Sequence, residues 1–342
     1  MAKEKFIHHK FNRASLELVA TANSILDDYA GQGYRLSLRQ VYYQFVARDL
    51  FPEDRRWAWI NNKWVRDPNG TKNATPNYKW LGEFVSTARL AGLLDWDMLE
   101  DRGRDAVIPS AWTSPAEIVR AAAQQFRVDR WAGQTNYCEV MVEKDALSGI
   151  LGPVCRELHV RFTANKGYSS SSAMYEAGGR IYNAMTDSEK GINQVHIFYL
   201  GDHDPSGIDM TRDITDRLFL FSKLKDRIED AGDGDGYGLD DFIHIHRLAL
   251  NMDQVKLWSP PENPAKETDS RFEAYREEFG KSSWELDAVE PKTLAELVRE
   301  GIEDLIDWDI WKGVQAQETK MREELERFAS DYGKPKKSKG KK

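Results

Sequence analysis

The chain has 342 residues, 41% hydrophobic and 30% charged, which excludes global disorder and points to two domains rather than one. Cys138 and Cys155 are too few for a disulfide framework or a structural zinc site, and no apolar run approaches the roughly 18 residues of a membrane span. The net charge is −8, yet the last nine residues carry six lysines and no acid, so the remainder stands at −14. Any contact with DNA must therefore be concentrated rather than general.

The N-terminus, MAKEKFIHHKFNR, has no apolar segment of the secretory kind, so a cytoplasmic chain is expected. Residues 14–30 carry apolar residues at helical spacing. After the turn GQGYR, Ser37 is placed to cap a second helix, LRQVYYQFVARDLF, which stops before Pro52. Residues 53–76 are rich in Trp, Asn, Gly and Arg and read as an inserted loop or small hairpin with Asn69-Gly70 at its turn. A third helix runs from Tyr78 to about Ala91, with Gly92 as its stop. LLDWDMLEDRGRDAVI then reads as a short ribbon. This order predicts a winged helix-turn-helix variant over residues 1–112.

A helix at 114–130 acts as a connector within 113–135. From there strands and helices alternate: strands at 137–143, 160–165, 194–201 and 242–250, and helices at 145–158, about 172–186 and 207–230. This predicts a parallel α/β domain over 136–330, with chemistry at the strand C-termini and a helical extension at 292–330. Residues 331–342 are expected to be a disordered lysine-rich tail.

The chemistry concentrates at two strand ends. Glu143 closes the first strand, in MVEKDAL, and Asp202 and Asp204 follow the third, in YLGDHDPSG. Three carboxylates at one sheet edge repel each other unless a cation sits among them. Oxygen-only ligands suit Mg²⁺, with Mn²⁺ as a substitute, and such a site suits phosphoryl transfer. The plainer reading is that the aspartates cap the helix beginning near Pro205.

These segments resemble the Toprim fold. More narrowly, VEKDAL, TANKGYSS and LGDHDPSGIDM are similar to the corresponding segments of the DNA-cleaving subunit of topoisomerase VI, a type IIB topoisomerase, and of the related meiotic double-strand-break transesterase. LALNMDQV and WELDAVEP extend the match, which spans roughly 137–305, and LRQVYYQFV matches in the N-terminal half. The resemblance implies that Tyr43 is the nucleophile, that Arg39 binds or activates, and that two protomers act together, the tyrosine of one reaching the metal site of the other. It implies a homodimer holding double-stranded DNA in a groove. Tyrosine is a poor nucleophile at its ordinary pKa of about 10, so a nearby cation would help. From the residues alone, Tyr42 and Tyr43 are equally readable as core aromatics. Adjacent residues on a helix point about 100° apart, however, so one of the pair is expected to face DNA or solvent.

The family's topoisomerases use a separate ATPase subunit. No GxxxxGK[ST] motif occurs here, so the chain alone is expected to cleave and rejoin without ATP-driven strand passage. Lys166, Arg89, Arg102 and Arg104 are the candidate DNA-backbone contacts. Trp57, Trp59 and Trp64 suit a packed hairpin face better than base stacking. DGDGYGLDD lacks the closing glutamate of a calcium loop. His203, between the aspartates, is expected to point away from a metal. The alternatives to a transesterase are a Toprim nuclease that uses water and a non-catalytic DNA-binding subunit of the same fold. A chain of this kind fits a phage or mobile element, or a nucleoid-associated protein, by analogy alone.

Overall fold

The computed structural model describes residues 3–61, 63–100, 111–165, 167, 169–224 and 239–332. Among these, 11 α-helices accompany a four-stranded parallel sheet and three two-stranded ones. Among the described residues, no helix is long and apolar enough to cross a membrane.

The N-terminal half packs three helices. Helix α1 (Arg13–Gly31) begins at Asn12, whose side chain accepts from Ser15 N. Its stripe of Val19, Ala22, Ile25, Leu26 and Tyr29 is buried. The short strand β1 (Leu36–Ser37) leads into α2 (Leu38–Ala47), started by a capping box in which Ser37 and Gln40 satisfy each other's backbone. Strands β2 (Trp57–Ile60) and β3 (Lys63–Arg66) form the hairpin expected in the insertion. Its turn, however, is at Asn61, with φ 51°, not at Asn69-Gly70. Gly70 serves a different need, because a Cβ there would lie 2.3 Å from the Trp57 carbonyl oxygen. Trp59 and Trp64 pair across the strands at 5.2 Å, as a hairpin face predicts. Helix α3 (Thr75–Leu90) follows and stops at Gly92, φ 74°.

The expected wing is not seen among the described residues. After α3 the chain offers β4 (Leu99–Glu100), which pairs in parallel with β1, and residues 101–110 lie outside the described set.

Helix α4 (Pro115–Gln125) connects the halves. The parallel sheet then assembles from β5 (Asn136–Val142), α5 (Ser148–Glu157), β6 (Arg161–Ala164), α6 (Ser171–Thr186), β7 (Gln194–Leu200), α7 (Pro205–Ser222) and β8 (Ile243–Ala249). Strand order is β6-β5-β7-β8. Alternation sends Val140, Val142, Phe198 and Leu200 to one face, under α5. It sends Met141, Ile197 and Tyr199 to the other, under α6 and α7.

Beyond the sheet come α8 (Met252–Trp258), β9 (Glu262–Pro264), α9 (Phe272–Phe279), β10 (Ser282–Trp284), α10 (Pro291–Glu303) and α11 (Trp308–Asp331). Helix α10 joins α5 in the first core, through Leu294, Ala295, Val298 and Ile302. The region 251–283, read from sequence only as Pro-rich and charged, contains an antiparallel β9–β10 pair. Of the 331–342 tail, Asp331 ends α11, and 333–342 lie outside the described residues.

Candidate active site

From β5 the chain crosses to β6 on one side, and the next crossover returns past β5 to β7 on the other. The C-terminal ends of β5 and β7 therefore flank the point where the connections diverge, which is where open α/β sheets form a crevice. Glu143 and Asp202 sit there. Glu143 N donates to Leu200 O at 2.9 Å, and Glu143 Oε2 accepts from Asp202 N at 2.9 Å. Two glycines make room. A Cβ on Gly201 would lie 3.0 Å from Glu143 Oε2 and 2.4 Å from the Tyr199 hydroxyl; one on Gly207 would lie 2.2 Å from Asp202 O.

Asp204 caps α7, its Oδ1 accepting from Gly207 N at 2.6 Å and Ser206 Oγ at 2.8 Å. The plainer reading of this carboxylate thus holds for one of its oxygens. Arg247, from β8, grips the loop from below. It donates to the carbonyls of Asp202 (2.6 Å), Gly207 (2.8 Å), Leu250 (3.2 Å) and Gly201 (3.3 Å). His203 points away from the acids, as alternation predicts. It is buried, with Nδ1 2.8 Å from Tyr275 Oη, and its backbone pairs with Trp284.

That pairing brings a second charged segment over the crevice. Lys144 Nζ lies 2.7 Å from Asp202 Oδ2, 2.9 Å from Glu285 Oε2 and 3.5 Å from Asp287 Oδ2. Arg39, from α2, pairs with Glu285 and reaches Asp287 Oδ2 at 3.1 Å. Burial alone would lower the Lys144 ammonium, but Asp202, Asp287 and Glu285 together raise it. Burial would raise Glu285, but Lys144 and Arg39 bring it down to about 2. Asp202 is pushed up to about 7 by burial, with Lys144 opposing and Glu143 adding to the rise. Glu143 is raised by burial, and Asp204 adds to that. Arg39, Glu143, Lys144, Asp202, Asp204 and Glu285 line a cavity of about 270 Å³, with Asn263, Lys266 and Ser206 in its wall.

The oxygen-only donor set has the chemistry of a hard-dication site, and Glu143 Oε1 and Asp204 Oδ2 accept no hydrogen bond from the described residues. Among the described residues, no group of three or more His, Cys, Asp or Glu is arranged to hold a metal. Lys144 occupies one oxygen of Asp202 and Leu286 N, at 2.8 Å, the other, while the α7 cap holds one oxygen of Asp204.

Tyr42 and Tyr43 are both buried, at 5% and 3% exposure, which corrects the expectation that one faces DNA or solvent. Helix α2 lies at the junction of the two halves, so both sides are covered. Tyr42 packs on Phe51 and Tyr78 and donates to Asn73 Oδ1 at 2.9 Å. Tyr43 stands one turn after Arg39 on α2, with its ring 5.2 Å from that of Tyr42. Burial, then Glu285, raises its phenol well above the ordinary value, against Arg39, Lys144 and Asn263. Where the resemblance implies a tyrosine reaching a partner's acids, Tyr43 here is buried within its own chain, under the electrostatic influence of Glu285, Arg39 and Lys144.

Arg89 stacks on Trp96 at 4.4 Å and donates to its carbonyl at 2.8 Å, on a groove shared with Arg39 and Ser37. Lys166, Arg102 and Arg104 lie outside the described residues. Sequence reasoning missed Lys144, Glu285, Asp287, Asn263 and Arg247. The adjacency of Lys144 to Glu143 and the acids within WELDAVEP were the available signals. No family model, curated protein or solved structure matches the chain.

Proposed function

We propose that the chain is a DNA strand transesterase of the topoisomerase VI kind, equivalent to that enzyme's DNA-cleaving subunit and working as a homodimer on double-stranded DNA. The observation that carries this reading is a convergence. Arg39, from the N-terminal half, meets the carboxylate crevice of the sheet beside Lys144 and Glu285, and Tyr43 stands one turn after it on α2, buried and under the electrostatic influence of Glu285 and Lys144. Two segments of unrelated sequence thereby contribute a nucleophile, cations and acids to one place, as phosphoryl transfer requires.

In this reading Tyr43 Oη gives its proton to water and attacks a backbone phosphorus. The bond to the 3′ oxygen breaks, that oxygen takes a proton from water, and a 5′ phosphotyrosyl link stores the energy for rejoining. Arg39 and Lys144 balance the phosphate charge. Glu143, Asp202 and Asp204 would hold Mg²⁺, or Mn²⁺ in its place, which supplies charge neutralisation at the phosphate oxygens when bound. For this, Lys144 must release Asp202. The N-terminal helices and the Arg39–Arg89 groove would form part of the DNA path as a winged-helix variant. ATP-coupled strand passage would need a separate ATPase subunit.

The burial of Tyr43 favours a second reading, a Toprim nuclease in which water attacks. One experiment separates the two. The protein is incubated with supercoiled DNA and Mg²⁺ or Mn²⁺, denatured, and probed for protein joined to 5′ ends. Adducts that vanish in Tyr43→Phe support the transesterase. Cleavage that survives Tyr43→Phe but not Asp202→Ala sinks it in favour of the nuclease. Binding without cleavage in either metal leaves a DNA-binding subunit.

A further inference from the structure

Strands β2 and β3 form an arm that neither half of the protein covers. None of their eight residues is buried. Alternation puts Trp57, Trp59, Trp64 and Arg66 on one face and Ala58, Ile60, Lys63 and Val65 on the other. Trp59 is 50% exposed on the first face, and Ile60 and Val65 are 48% and 46% exposed on the second. A two-stranded ribbon is marginal in water on its own, and this one is held at its root. Trp57 exchanges backbone hydrogen bonds with Thr71 at 2.8 Å, its Nε1 donates to Asn77 Oδ1 at 2.9 Å, and Asn77 Nδ2 donates to Arg55 O at 2.8 Å.

The charge of the arm is opposite to that of the chain. Residues 55–66 contain Arg55, Arg56, Lys63 and Arg66 and no acid, although acids outnumber bases 56 to 48 overall. Glu53 holds Arg56 at 2.8 Å. Arg55 lies over the Trp80 ring at 3.7 Å and Arg66 over the Trp57 ring at 4.2 Å. Among the described residues, Arg55, Lys63 and Arg66 enter no ion pair. Burial and then Arg66 lower the pKa of Arg55, with Asp54 opposing, and cations crowded in this way are relieved by an anion.

The root of the arm adjoins the candidate site. Asn73, late in the insertion, donates through Nδ2 to Glu262 O and Asn263 Oδ1, both at 2.9 Å, and Asn263 lines the crevice cavity. Four strand residues reach roughly 13 Å, or about four base-pair steps.

A flat surface covers one face of a ribbon, whereas a cleft covers both. Apolar side chains stand on both faces here, beside cations that lack carboxylate partners. The major groove of duplex DNA, about 12 Å wide, is a cleft walled by phosphates and admits a two-stranded ribbon. We infer that the β2–β3 hairpin is a DNA-binding arm that enters a groove of double-stranded DNA beside the crevice, with Lys63 and Arg66 on phosphates and Trp59, Ile60 and Val65 against sugars and base edges. The inference rests on the reading of double-stranded DNA as the substrate and is indifferent to whether tyrosine or water attacks.

The test uses the full chain and a fluorescein-labelled duplex of about 30 base pairs, long enough for several times the reach of the arm. No divalent metal is added, so that no strand is cut. Affinity is read by fluorescence anisotropy over a series of salt concentrations. Lys63→Gln/Arg66→Gln is expected to weaken binding roughly 10-fold and to lower the slope of log affinity against log salt by about 2. Ile60→Thr/Val65→Thr keeps the β-branched shape and is expected to weaken binding roughly 5-fold with the slope unchanged. If both pairs keep wild-type affinity and slope, the inference is overturned, and a lower mass by light scattering would then assign the arm to a second copy of the chain.

A second readout leaves the arm unaltered. In wild-type protein labelled with fluorotryptophan, the Trp59 fluorine resonance is identified by its loss in Trp59→Phe. Saturating duplex is expected to shift it, and a resonance that stays in place while the duplex is bound rejects the arm. Covalent adducts from a protein whose arm fails both measurements keep the transesterase and sink the arm. Arm-dependent binding without adducts keeps the arm and sinks the transesterase. Wild-type protein that binds no duplex sinks both.

Discussion

Lys144 and Asp202, borne on the ends of neighbouring parallel strands, are joined by an ion pair of 2.7 Å in which the carboxylate is almost wholly shielded from solvent. Lys144→Met would strand Asp202 without its nearest cation. The expected loss of stability is roughly 3 kcal/mol, read as a fall in Tm by calorimetry. Millimolar Mg²⁺ is expected to recover part of that fall in Lys144→Met but not in the double variant with Asp202→Asn. An unchanged Tm in Lys144→Met would contradict the pairing.

Glu285 makes acid stability predictable. Its carboxyl stands at about 2 in the fold against an ordinary 4.5. As pH falls, the unfolded chain binds the proton first, so the stability Glu285 supplies is complete above about pH 5. It is lost as pH approaches 2, and amounts to on the order of 3 kcal/mol. Urea titrations from pH 6 to pH 3 should show a smaller loss in Glu285→Gln than in the wild type. Parallel curves for the two proteins would refute the assignment.

Two glycines give opposite expectations for one substitution. A methyl at Gly207 meets Asp202 O at 2.2 Å, whereas one at Gly179, within α6, meets nothing within 4 Å. Gly207→Ala is expected to destabilise by about 2 kcal/mol and to abolish the proposed DNA cleavage by displacing the acidic loop. Gly179→Ala is expected to stabilise by about 0.5–1 kcal/mol through helix propensity. Denaturation midpoints of the two variants give the comparison.

Under the sheet, Glu139 is fully buried and takes both of its ion-pair bonds from Arg180, at 2.7 Å and 2.8 Å. Arg180→Met leaves that charge unpaired and is expected to cost roughly 3–5 kcal/mol. The double variant Glu139→Leu/Arg180→Met removes both charges and should regain most of it. Equal losses in the single and double variants would show that packing, not charge, governs this position.

The α/β half was legible because its strands are apolar runs that lead into helices, and Glu143 and Asp202 follow such runs within two residues. Glu285 and Asp287 were not. They come from a segment with no helical or strand period, and only its pairing with His203 brings them over Asp202. The hairpin turn was misplaced because Asn-Gly is a strong local turn signal, yet Gly70 is required by the approach of the Trp57 backbone. The tyrosine pair was misjudged for a related reason. Steps of 100° around one helix separate two side chains relative to a single core, and the second cover, from residues near 263 and 285, is invisible to a helix-by-helix reading.

The grip of the last segments on the crevice sets when the site comes into being. Leu286 N holds Asp202 across 84 residues of chain, and Glu285 holds Lys144 across 141. On a ribosome the tyrosine and the sheet are made long before these clasps, at about 5–20 residues per second. A growing chain therefore carries no assembled crevice until Asp287 has been added and has cleared the exit tunnel. Premature termination before that point yields a fragment with Tyr43 but without Glu285, Leu286 or Asp287, so truncated products should not bring these groups together.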